Sequence, residues 1–436
     1  MNGTGAPHED FVLRGLSVLD ESGGFCGPLD VRVSAGRVAE LGAGITAAEA
    51  ASIDVAGLWL MPGVFDCHDH VSMSSLNLAE TLATPVSLWA LESARNARRT
   101  LEAGVTFVRD MAGADAGMRD AIARGYVPGP TLQVSTVLIS QTGGHGDGFL
   151  AGAGLEITPG YLTPDYAGKP RFVLDGCDAM RQVVREVIRS GADWIKLATT
   201  GGLVSDHDHP LVADFTLEEV ETAVAEARRK GRPVAAHAYG GEGLDNAVAA
   251  GVRSIEHGGF LTEEQARRMA DAGCWLVPTL SAMRDTLAWA EQGRLTPVQC
   301  RKILGFGLEL GAAVRLAKDN GVRLALGTDY ISRDQHGNNL EELRLMHEAG
   351  LTLEETLLVA TAAGAELCGV GDRYGRIAPG YVFDALLLAD EPSDLGRLCS
   401  PGALAGVFKA GRPVLGGPQL AEQGLAARLG AAESVR

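Results

Sequence analysis

Eight short apolar runs recur along this chain: GVFDCHDH, GVTFVRDM, TLQVSTVLIS, DWIKLATTGG, PVAAHAYG, VRSIEHGG, CWLVPTL and RLALGTDY. Runs that stay apolar without polar alternation suit parallel strands buried on both faces. Between several of them the period lengthens to that of a helix, in LEEVETAVAEARRKG before the fifth run, LDNAVAAG before the sixth and TEEQARRMADAG before the seventh. Strand and helix in alternation define an α/β chain, and eight such units predict a (β/α)8 TIM barrel.

The flanks follow another rule. FVLRGLSVLD, LDVRVSAGRVAELG and SIDVAGLWLMPG near the start alternate in short stretches and turn on glycine, as do GRIAPGYVFDALLLAD and ALAGVFKAGRPVL near the end. Both sets predict strands that pair into one small β-sandwich accessory domain. The expected division is 1–60 and 370–436 for the two parts of that sandwich and 61–369 for the barrel. The closing GLAARLGAAESVR reads as a frayed helix.

Composition narrows the class. The chain has 436 residues, enough for a barrel with an appended sheet as one catalytic unit, and 46% apolar residues, enough to fill its core. Its formal charge of −17 repels polyanions over most of the surface, which argues against a nucleic-acid partner. Seven scattered cysteines with no CxxC pair fit a reducing cytoplasm better than a disulfide framework. Neither a secretory leader nor an apolar run of membrane-spanning length is evident, so no membrane partner is expected.

Candidate chemistry sits where the apolar runs end, the face on which barrel enzymes assemble their sites. His68 and His70 are two apart on the first run, so the strand period sends both imidazoles to one side. They either share a metal or are ordinary polar residues at a strand end. His237 and His257 close consecutive runs, and Asp329 closes the last, where a buried carboxylate needs a metal or a proton relay to offset its desolvation. Imidazoles with a carboxylate suit zinc or a similar divalent ion. Lys196 on the fourth run either points outward into the helix layer or faces the site; facing inward, it must find a carboxylate or lose its charge. Carbamylation by CO2 would make it an anionic two-oxygen bridge. His145 stands in a glycine-rich QTGGHGDG loop, either near a ligand or in a mobile stretch. His207 and His209 lie in a polar loop and read as loop residues, with a substrate lid as one role. His336 follows the eighth run and is expected to border the pocket or to be structural. Cys67, between ligand neighbours, should face away from the metals. Thr142 to Arg171 is long and glycine-rich enough to be a lid.

PGVFDCHDH, DWIKLATT, AAHAYG, SIEHG and LGTDY, in that order, make the chain resemble the amidohydrolase superfamily over nearly its whole length. GGHGD and HAYG carry a closer resemblance to the imidazolonepropionase-related branch, with its Xaa-Pro dipeptidases, lysine/arginine carboxypeptidase-type enzymes and ochratoxin-type amidases. The resemblance implies two divalent ions, zinc foremost. His68, His70 and Asp329 would hold the more buried ion, His237 and His257 the more exposed one, and carbamylated Lys196 would bridge them. It implies further that a hydroxide between the metals attacks the scissile carbonyl, that Asp329 relays the proton to the leaving nitrogen, that Tyr239 assists at the carbonyl oxygen, and that His145 contacts substrate. Hydrolysis of an amide or peptide bond in a dipeptide or N-acyl amino acid is the expected function. Cyclic-amide hydrolysis, deamination and carbamate or urea hydrolysis remain open as other chemistries of the same superfamily, as does a barrel without catalysis. The partner is then a small-molecule amide, and association of copies is left open.

Overall fold

The computed structural model describes residues 10–46, 50–150, 152–158, 162–400 and 402–416; the frayed helix expected at the C-terminus lies outside them. The architecture is mixed α/β. Strands Phe11–Leu19, Phe25–Ser34, Arg37–Gly42, Ala51–Asp54 and Trp59–Pro62 from the start share one eight-stranded sheet with Ala385–Leu388, Leu404–Lys409 and Arg412–Gly416 from the end. The two ends meet where Trp59–Pro62 pairs antiparallel with Ala385–Leu388. This sheet has its own core, in which Phe11 packs on Phe383 and Phe408 at centroid distances of 6.0 Å.

Each of the eight apolar runs contributes strand to a parallel set. Val64–Asp69, Val105–Asp110 and Thr131–Val134 form one sheet. A second runs Leu138–Ile139, Ile195–Ala198, Val234–Ala238, Ser254–His257, Trp275–Val277 and Arg323–Leu324. The third run, expected as one strand, therefore serves both sheets. It bends at Thr136, whose φ of 68° breaks the extended backbone, and its halves pair to opposite sides. At the other seam the Cys67 N–H donates to Leu326 O at 2.8 Å and the Asp329 N–H to His68 O at 2.6 Å, tying the eighth run to the first. The eighth ladder is shorter than its run: regular strand covers only Arg323–Leu324. Beyond it the chain presses so tightly on the first strand that a Cβ at Gly327 would stand 2.8 Å from that of His68, a close approach only glycine permits.

The three helices read from periodicity form at Leu217–Arg229, Gly241–Ala250 and Glu263–Asp271. Local chemistry starts two of them: Thr216 with Glu219 and Thr262 with Gln265 make reciprocal capping boxes. The first buries Val220, Ala223, Val224 and Ala227, the i, i+3, i+4, i+7 stripe that packs it on the strands. No helix among the described residues is long and apolar enough to cross a membrane.

Candidate metal centre

The strand ends bring His68, His70, Lys196, His237, His257 and Asp329 to the wall of one cleft. Its remaining lining is largely apolar, with Leu76, Leu162, Leu203, Met283, Trp289 and Ile331 facing the cluster. Ligating atoms of His68, His257 and Asp329 lie within 4.8 Å of one another. Asp329 Oδ1 also stands 3.0 Å from His70 Nε2, and the His237 ring is 4.6 Å from that of His257.

Each imidazole is held by one nitrogen, leaving the other for the cleft. His68 Nδ1 lies 2.8 Å from Glu256 Oε2, His70 Nδ1 2.7 Å from Ala112 O, His257 Nδ1 2.7 Å from Thr279 Oγ1 and His237 Nε2 3.3 Å from Gly201 O. Partners of this kind orient the rings of metal-binding histidines. Burial pushes His68, His237 and His257 well below the usual imidazole range, so they stay neutral with lone pairs available. His70 moves the other way: burial acts to lower it, but Asp329 beside it outweighs that. For Asp329 burial acts upward, yet His68 and His70 hold the carboxylate below its ordinary value.

Backbone strain concentrates here. Of seven non-glycine residues with positive φ among the described residues, five, Ala112, Thr136, His257, Thr279 and Asp329, lie in the parallel runs or just beyond them. Each such conformation costs on the order of 1–3 kcal/mol, and persists where the surroundings demand a fixed side-chain direction.

Lys196 faces inward. It is 2% exposed, and its Nζ has no hydrogen-bond partner among the described residues. Burial lowers its pKa to about 8 against the raising pull of Glu256 and Asp329. Buried neutral imidazoles, one carboxylate and an orphaned amine make a donor set that fits a divalent cation, with Lys196 as the position a cation-neutralising modification would satisfy.

Tyr239 stacks on His257 with centroids 5.1 Å apart, and burial pushes its hydroxyl up, so it remains a donor. His145 lines the cleft, its ring parallel to His237 at 4.2 Å. His207 and His209 are exposed loop residues. His336 does not border the pocket: it is fully buried, with Nε2 bonded to Met73 O at 2.9 Å, and its neighbour Gln335 lines the cleft instead. Cys67 faces away from the cluster, with Sγ 4.0 Å from that of Cys368. Thr142 to Arg171 holds a short hairpin, Phe149–Leu150 with Leu155–Glu156, and sends Leu162 into the cleft.

Sequence inspection missed the support beneath the cluster. Arg109 and Glu256, both fully buried, pair at 2.9 Å; Ser254 donates to Glu256 at 2.6 Å, and Arg109 lies over Trp194. The signal was present: Arg109 in GVTFVRDM and Glu256 in VRSIEHGG are charges placed on strands that are buried along their length. Removing one partner strands the other charge, so Arg109→Met is expected to destabilise the protein by about 3–5 kcal/mol. Arg109→Met/Glu256→Leu should recover part of that. Urea midpoints measure both, and an unshifted single variant would remove the pair from the account of stability.

The sequence model of the amidohydrolase family matches residues 59–414. Ochratoxinase of Aspergillus niger is 33% identical over 380 residues, covering 85% of this chain and 78% of the relative. Imidazolonepropionase of Cupriavidus taiwanensis is 26% identical over 87% of this chain and 89% of its own. Among solved structures, a prolidase complexed with N-methylphosphonate-L-proline superposes with a TM-score of 0.86 at 31% identity, covering 93% of this chain and 99% of the other. The A. niger ochratoxinase structure gives 0.84 at 30%, covering 94% and 96%.

Proposed function

We propose, from the premise that this chain belongs to the amidohydrolase family and is a hydrolase of carbon–nitrogen amide or peptide bonds, that its substrate is a dipeptide or N-acyl amino acid. The observation that carries this is the convergence of four neutral or carboxylate-paired imidazoles, Asp329 and an orphaned Lys196 amine on one apolar cleft. In this reading the eight parallel runs form a closed (β/α)8 barrel over residues 61–369, and 1–60 with 370–436 form a β-sandwich beside it. Seven free cysteines support a reducing, cytoplasmic setting.

His68, His70 and Asp329 would hold one divalent ion and His237 and His257 a second, and a carbamylated Lys196 would supply an anionic oxygen ligand beside them, with zinc the best match to the donors. Such ions supply a water acidic enough to act as nucleophile near neutrality and a Lewis acid for the carbonyl. The residues do the rest. Asp329, anionic and partly open to the cleft, takes a proton and returns it to the leaving nitrogen. Tyr239 donates its hydroxyl hydrogen toward the carbonyl oxygen, and His145 meets a polar group of the substrate. Among the described residues, the lining charges belong to the cluster, so apolar side chains on either side of the scissile bond are favoured over charged ones.

The test is a library of dipeptides and N-acyl amino acids given to zinc-loaded protein, read as released amine. Apolar members should turn over, a chelator should abolish release, and added zinc should restore it. Amine release that survives exhaustive chelation, or none from any member, would reject the proposal.

A further inference from the structure

Asp208 sits in the loop after the fourth strand and is 2% exposed at its side chain, though neighbouring Asp206 and His207 are exposed. Its carboxylate accepts from His145 Nδ1 at 3.0 Å, the Gly202 N–H at 2.9 Å, Lys302 Nζ at 2.9 Å and the Ser205 hydroxyl. Lys302, from helix Pro297–Gly305, also donates to Gly202 O and Ser205 O, at 3.0 and 2.7 Å. Three distant segments thus close on one buried anion. Burial acts to raise the Asp208 pKa, but His145, Ser205 and Lys302 hold it well below the carboxylate range, so it stays ionised.

The His145 ring is confined on one face and one edge. One side lies parallel to His237 at 4.2 Å. Gly202 closes on its edge, where a Cβ would fall 2.1 Å from His145 Cε1. The His145 N–H is anchored separately, to Asp214 Oδ2 at 3.1 Å. An imidazole so placed has one freedom left, the position of its proton, and a carboxylate on Nδ1 decides that.

We propose that Asp208 is a positioning residue that acts through His145: by keeping the proton on Nδ1 it presents Nε2 to the polar group of the substrate beside the scissile carbonyl. This rests on the amide-hydrolase reading of the cleft. Lys302 balances the Asp208 charge and fixes the loop, but leaves the proton position to Asp208.

The experiment combines a kinetic cycle with a spectroscopic arm. Asp208→Ala and His145→Gln should each lower kcat/KM about 10–100-fold with metal content unchanged. The double variant should lose no more than His145→Gln alone, and Asp208→Asn, which keeps an acceptor oxygen, should fall between Asp208→Ala and wild type. In histidine-selective 15N spectra, the signal that disappears in His145→Gln should show the Nδ1–H form in wild type and lose it in Asp208→Ala. Lys302→Met should retain that form. Losses that multiply in the double variant, or an unchanged His145 signal in Asp208→Ala, would overturn the proposal. If wild type cleaves nothing in the library, the substrate reading fails, and the spectroscopic arm still decides the Asp208–His145 relation.

Discussion

Asp329→Asn is expected to lower kcat by about 10²–10⁴-fold, the usual worth of a positioned proton acceptor, while the fold and part of the metal content survive. The backbone permits the exchange. Asp329 has a φ of 56°, a region asparagine tolerates as well as aspartate, and its N–H bond to His68 O at 2.6 Å involves no side chain. The variant keeps the size of the group and one oxygen near His70 Nε2. What it loses is negative charge and basicity, at a side chain 21% exposed to the cleft and held anionic by His68 and His70. Turnover and metal content together separate the two roles of the residue: a structural ligand alone would lose both in proportion. Undiminished hydrolysis in the Asn variant would remove Asp329 from proton transfer.

Much of this centre was legible because strand chemistry is periodic. His68 and His70, two residues apart, do share a side, their rings 5.3 Å from each other, and the ends of the fourth, fifth, sixth and eighth runs do meet them. What stayed hidden depends on long-range pairing. Nothing near residue 145 announces that Asp208 will hold its ring and that Lys302 will in turn hold Asp208, because those partners come from a distant loop and a distant helix. His336 shares its neighbourhood with a lining residue, and only packing decides that Gln335 turns in while His336 turns toward Met73 O. Thr136 is a β-branched residue in an apolar run, so propensity extends the strand through it; the bend arises from joining two sheets. Arg109 and Glu256 could have been found by asking which charges interrupt buried runs, since an unpaired buried charge is too costly to persist.

Lys196→Ala should cost on the order of 10³-fold in kcat, about 4 kcal/mol of barrier, with the metal content falling toward one ion per chain. At 2% exposure and with no hydrogen-bond partner among the described residues, an ammonium here would add positive charge beside a cation site, whereas a pKa of about 8 leaves neutral amine well populated in mildly alkaline buffer. A neutral Nζ can bond to the carbon of CO2 and release one proton, giving a carbamate whose two oxygens carry a negative charge. That single step would remove the orphaned donor, offset cationic charge and supply an atom for each of two ions. Metal-free protein reloaded with zinc in CO2-depleted buffer should therefore regain little activity until bicarbonate is added, and the Ala variant should show no bicarbonate response. One tightly held ion per chain in wild type, with recovery indifferent to bicarbonate, would rule out the bridge and leave Lys196 as an unmodified neighbour of a single-metal site.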